Sequence, residues 1–175
     1  MESRAFHRSQ LKQTTRHVSD NFINARRMTK SVKLTWTIIT LNLFIATMII
    51  TIMFDFKSVI DLFTSLPLNH SIGLIGLYAS GYYIANKMNY QINLKKRNSL
   101  IIGFIGLLLI LIIGTFAGSS VGFFQEGYSS GDNFSQFKDA VFDYYCKPFF
   151  WIFFFGIIPT LLTGMILGKL IKNYR

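Results

Sequence analysis

Four long apolar blocks, almost free of charge, constrain this chain more than any other feature it has. They run over about 34–54, 71–88, 100–124 and 148–170. A soluble domain spaces its apolar residues so that one face of each element stays wet. Here they are contiguous, with 51% hydrophobic residues and 18 Phe in the chain. A helix needs roughly 20 apolar residues to cross the hydrocarbon core of a bilayer. The first, third and fourth blocks satisfy that. The second, SIGLIGLYASGYYIAN at its centre, is shorter and richer in Gly and Tyr, and needs an extra turn to span. The first block holds about eleven Leu, Ile and Phe, each contributing roughly −0.3 to −0.6 kcal/mol to insertion, enough to carry the mid-block Asn42. The blocks do not alternate as barrel strands do, so helix is the form that satisfies the backbone in lipid. The expected fold is an all-α integral membrane protein with four transmembrane helices in an antiparallel bundle.

Charge sets the expected orientation. Fifteen of the 18 Lys and Arg fall in the N-terminal tail, in the segment between the second and third blocks, and at the C-terminus. Only Glu2 and Asp20 accompany them. The other two connecting segments carry Lys57, Lys138 and Lys147 against Asp55, Asp61, Glu126, Asp132, Asp139 and Asp143. Short Lys/Arg-rich segments stay in the cytoplasm. The expectation is therefore a multipass protein of a bacterial plasma (inner) membrane with both termini cytoplasmic. It divides into a basic, partly helical tail (1–33), a four-helix membrane domain (34–172) and a short C-terminus (173–175). The tail is too long and polar for a signal-peptide n-region, so the first block is expected to remain as a helix. Trp36, Trp151, Tyr90, Tyr128, Tyr144, Tyr145 and Tyr174 fall near block ends, as an interfacial aromatic belt would.

In the tail, Leu11, Val18, Phe22 and Ala25 form a thin helical stripe among cations. Anionic lipid headgroups are its expected partner, at about 1 kcal/mol per cation near the surface. Arg26, Arg27, Lys30, Lys33, Lys95, Lys96 and Arg97 are the expected lipid-facing cations. No nucleic-acid motif accompanies the charge, so no nucleic-acid partner is expected. The first outer segment, FDFKSVIDLFTSLPLNH, places Phe56, Val59, Ile60, Phe63 and Leu66 on one helical face before Pro67. The second places Phe134, Phe137, Val141 and Tyr144 at helical spacing behind a cap at Asp132 or Asn133. Both read as short interfacial helices.

Small residues recur at helical spacing within the blocks: Gly114, Gly118 and Gly122 in the third, and Gly156, Thr160, Gly164 and Gly168 in the fourth. In lipid, close backbone approach through such residues holds helices together. The third and fourth spans are expected to pack tightly in their outer halves, and Pro159 to kink the fourth. No Asp, Glu, Arg, Lys or His lies centrally in any block, which argues against ion-coupled transport. The remaining polar groups, Asn42, Thr47, Tyr78 and Tyr82 among them, are the candidates for an uncharged polar path. One cysteine, Cys146, and three histidines supply neither a disulfide nor a metal-ligand pattern. Ser80 and Ser119–Ser120 lack a histidine partner, and no phosphate loop or H-E-x-x-H motif occurs. The expectation is a non-catalytic protein without cofactor or metal. It would act through contacts with another membrane protein or itself, as an accessory, regulatory or immunity-type subunit. The alternative is a homo-oligomeric channel or transport component.

Overall fold

The structure is a computed structural model that describes residues 29–65, 67–127 and 134–173. The described chain is almost wholly helical. Helix α1 covers Thr29–Phe54. It is followed by α2 (Phe56–Ser65), α3 (Pro67–Asn89), α4 (Ser99–Gly122), α5 (Phe134–Val141) and α6 (Lys147–Asn173). Wider π-turns extend α3 (Tyr90–Leu94) and α4 (Phe123–Gly127), and a third (Phe142–Cys146) joins α5 to α6.

Among the described residues, three helices are long and apolar enough to cross a membrane: Thr29–Phe54, Ser99–Gln125 and Phe137–Asn173. The first begins before the expected 34 and takes in Lys30 and Lys33, whose side chains are exposed. The second block forms α3, 23 residues long. Its length comes from Pro67, which opens the helix where a missing N–H costs nothing. Its Asn, Ser and Tyr content keeps it out of the apolar class.

The second outer segment departs from expectation. Instead of a separate interfacial helix, α5 runs through the Phe142–Cys146 turn into α6, giving one helix over Phe137–Asn173. Pro148 has no N–H to return to Tyr144, and the turn widens there, with the Lys147 N–H reaching the Phe142 carbonyl. With no glycine between Val141 and Lys147, nothing ends the helix. The expected cap residues Asp132 and Asn133 lie outside the described residues.

Close approaches fix the register. Ser99, Gly103 and Leu111 of α4 meet Gly168, Gly164 and Gly156 of α6, so these helices run in opposite senses. Met88, Leu77 and Gly73 of α3 likewise meet Gly106, Gly114 and Gly118 of α4. Helix α1 lies along α3, with Trp36 and Ile39 against Gly81, and reaches α6 through Asn42. The start of α1, the α3–α4 connection and the end of α6 therefore share one end of the molecule. This basic end carries Lys30, Lys33, Lys87, Lys95, Lys96, Arg97, Lys169 and Lys172, all exposed.

The core is concentrated near that end. Val32, Ile38, Ile39, Ile84, Met88, Leu107, Ile110, Leu167 and Ile171 form one buried cluster. The closest α4–α6 approach is there too, which corrects the expected outer-half contact. A Cβ on Gly168 would strike the Ser99 carbonyl, and one on Gly103 the Gly164 carbonyl. In the opposite half, Gly114 and Gly118 face α3 instead, and Gly122 faces Asn69 and Tyr144. A Cβ on Gly156 would meet only side chains at ordinary contact distance, Leu111 of α4 at 3.5 Å and Ile152 of its own helix at 3.8 Å.

Candidate functional site

Polar side chains within the apolar stretches define three seams. The first joins α1 to α3. Trp36 donates its indole N–H to the Tyr78 carbonyl at 3.1 Å, and the two rings meet edge to face. One turn along, Thr40 Oγ1 and the Tyr78 hydroxyl lie 2.8 Å apart. Gly81 makes room for this arrangement, since a Cβ there would lie 2.7 Å from Ile39 Cδ1. Trp36, expected in the interfacial belt, is thus part of the packing.

The second seam joins α1 to α6. Asn42 Nδ2 donates to Thr163 Oγ1 at 2.9 Å, and Thr163 Oγ1 lies 2.7 Å from the Pro159 carbonyl, to which it donates. Pro159 cannot supply an N–H to the Phe155 carbonyl, so the α6 ladder is weakened in the turn before this contact. The helix nonetheless continues through Pro159.

The third seam lies at the basic end. Asn86, Asn89 and Asn93 recur at spacings of three and four, placing an amide on successive turns of one α3 face. Asn93 Nδ2 donates to Asn89 Oδ1 at 2.6 Å and approaches the Ile171 carbonyl of α6 at 3.4 Å. The oxygens of Asn86, Gln91 and Asn93 are buried without a donor, as is that of Asn69 at the opposite end. Ser31, Thr35 and Ser99 are buried at the same basic end. Sequence reasoning passed over these amides, although their spacing was a readable signal.

The expected polar-path residues do not share one lining within the chain. Asn42 faces α6 and Tyr78 faces α1, while Thr47 bonds back to its own helix at the Leu43 carbonyl. Tyr82 points outward, 56% exposed, beside Tyr83 at 69%. Neither tyrosine hydroxyl bonds to any described residue.

Of the expected lipid-facing cations, Lys30, Lys33, Lys95, Lys96 and Arg97 are exposed, whereas Arg26 and Arg27 lie outside the described residues. Lys95 sits over the Tyr90 ring, 5.5 Å from its centroid. At the opposite end, Phe123 is surrounded by Phe124, Phe137, Tyr144 and Tyr145. Tyr145 donates to Ser120 Oγ at 3.2 Å, tying the turn before α6 to the end of α4. Tyr128 and Tyr174 are not described. Among the described residues no three His, Cys, Asp or Glu side chains come together as a metal site would require. Cys146 is exposed.

No protein-family model, no curated protein and no solved structure matches this chain.

Proposed function

We propose that the chain is a non-catalytic, four-span membrane protein that acts through contacts with another membrane protein, as an accessory, regulatory or immunity-type subunit. The four helices α1, α3, α4 and α6 would cross in alternating directions as an antiparallel bundle, with both termini in the cytoplasm of a bacterium. The gathering of exposed Lys and Arg at one end supports that orientation, because such residues are retained on the cytoplasmic side and lie against anionic headgroups. Cysteines placed at Lys96 and Asp139 in a Cys146→Ser background would then label from opposite sides of intact cells. Labelling of both from one side would overturn the topology.

The observation that carries the contact role is the outward face of α3. This helix is less apolar than the three spans beside it, and it presents Tyr82 and Tyr83 with hydroxyls unmatched among the described residues. A lipid tail offers such groups no acceptor, whereas a neighbouring helix can supply one at about 0.6 to 2 kcal/mol. A photo-crosslinking residue at Tyr83 is expected to capture a discrete protein from native membranes, identifiable by mass spectrometry. The same probe at Ile158, on the exposed face of α6, is the lipid-facing control. Equal capture from both positions would remove the basis of the proposal.

A further inference from the structure

The packing of α1 loosens along its length. Its first part is anchored: Val32, Thr35, Ile38 and Ile39 are buried, and Trp36 bonds to α3. The last bond it makes to another helix is Asn42 to Thr163. Beyond that point, from Leu43 to Phe54, side chains such as Leu43, Ile45 and Ile49 are half-buried but none is fully buried, and among the described residues no hydrogen bond reaches another helix. The far end leads into Asp55, which has a positive φ of 76°, and then into the short helix α2.

From these observations we infer that α1 is hinged at the Asn42–Thr163 bridge, and that its distal half swings against a fixed base. Threonine back-bonding softens α1 along its length, at Thr35 and Thr37 in the anchored part as well as around the hinge. Thr40 and Thr47, flanking Asn42, both return their hydroxyls to the carbonyl four residues back, at 3.0 and 2.9 Å. Thr51 does the same at 2.8 Å. Such back-bonding competes with the helical ladder and bends helices. The base cannot follow the motion, because α4 and α6 meet backbone to backbone at Gly103, Gly164 and Gly168. Twelve residues beyond the bridge make a lever of about 18 Å, at about 1.5 Å rise per residue. A change in tilt of about 20°, within the ordinary scatter of membrane helices, displaces its tip by about 6 Å. The inference rests on the packing of α1 and holds whether or not the contact role proposed above is correct.

Spin–spin distance distributions on the full chain in lipid nanodiscs test it. In a Cys146→Ser background, one label pair joins Met53 to Phe124 at the distal end, and another joins Lys33 to Leu100 at the basic end. The distal distribution is expected to be at least twice as wide as the basal one. Asn42→Leu should widen the distal distribution further and leave the basal one unchanged. Thr163→Val, which keeps the shape of the side chain, should do the same from the other partner. A distal distribution no wider than the basal one would overturn the hinge. Equal broadening at both ends on loss of the bridge would overturn it as well.

Discussion

The two halves of this molecule are built from similar apolar residues but are held together differently. Around Gly103, Gly164 and Gly168, helices approach until a backbone carbonyl occupies the space that a Cβ would need. Around Leu41–Phe54 of α1, large side chains such as Phe44, Met48 and Ile52 face outward, and the rest are at most half-buried. In water, exposed side chains of this size would drive collapse. In lipid there is no such drive, and proximity depends on small residues and interhelical hydrogen bonds. The density of the packing therefore follows the placement of glycine and the polar seams, while hydrophobicity decides only that the helices lie in the membrane.

The sharpest way to break this comparison is to make one substitution in both halves. Gly168→Ala drives a Cβ into the Ser99 carbonyl and should destabilise by about 3 kcal/mol, as overpacking against backbone does. Gly156→Ala meets only Leu111 at 3.5 Å and Ile152 at 3.8 Å, both ordinary contacts. It should be neutral or stabilising by about 0.5 to 1 kcal/mol, because alanine is the better helix former. Unfolding in mixed micelles reads both. If the two changes carry the same sign, the division into halves fails.

The boundary between the halves is tested by the bridge itself. Asn42→Leu and Thr163→Val should each destabilise, with a coupling between them of about 0.6 to 2 kcal/mol in a double-mutant cycle. The Thr40–Tyr78 contact, within the anchored part of α1, serves as the comparison. Additive effects at Asn42 and Thr163 would mean that the bridge holds nothing and that the anchoring ends elsewhere.

Where the sequence could be read, one variable sufficed. Uninterrupted apolar length located the helices that became α1, α4 and α6, and charge placement grouped the segments that share the basic end. What it could not give was the identity of neighbours. Gly103 and Gly114 lie within about 20° of each other on a straight helix, at about 100° per residue. Yet Gly103 meets α6 and Gly114 meets α3, because crossing helices pass over the same stripe in turn. Spacing defines a face, whereas the partner depends on crossing geometry, and for that reason the α4–α6 contact was expected in the wrong half. The fusion of α5 with α6 was hidden similarly. Asp132 and Asn133 offered a readable start, but a π-turn at Phe142–Cys146 has no residue signature. In the candidate site, Asn42 was legible as a lone amide in an apolar block, while its bond to Thr163 spans 121 residues and required the fold.

A smaller effect should sharpen the account of the basic half. Lys96 sits at φ 51° in the four-residue connection between the Tyr90–Leu94 turn and α4. There a side chain costs about 1 kcal/mol that glycine does not. Lys96→Gly should therefore stabilise by up to about 1 kcal/mol in unfolding measurements. Its neighbours Lys95 and Arg97 keep their charges, so binding to anionic vesicles should fall only slightly. A large loss of vesicle binding would assign Lys96 a headgroup contact beyond its share of the charge.

The smallest expected effect belongs to the opposite half, and its size is informative. Asp143 and Lys147 form an ion pair four residues apart across the junction of the π-turn and α6, with side chains 52% and 56% exposed. Exposed pairs at this spacing contribute about 0.3 to 0.5 kcal/mol and are screened by salt. The junction also has stronger fastenings: Tyr145 bonds to Ser120, and Phe123 packs against both Tyr144 and Tyr145. Asp143→Asn should thus change stability by less than about 0.5 kcal/mol, and less still in high salt. Tyr145→Phe, which removes the bond to Ser120 but keeps the ring, should cost more. If Asp143→Asn proved the costlier change, charge pairing would have to replace aromatic packing as the tie between α4 and α6 at this end.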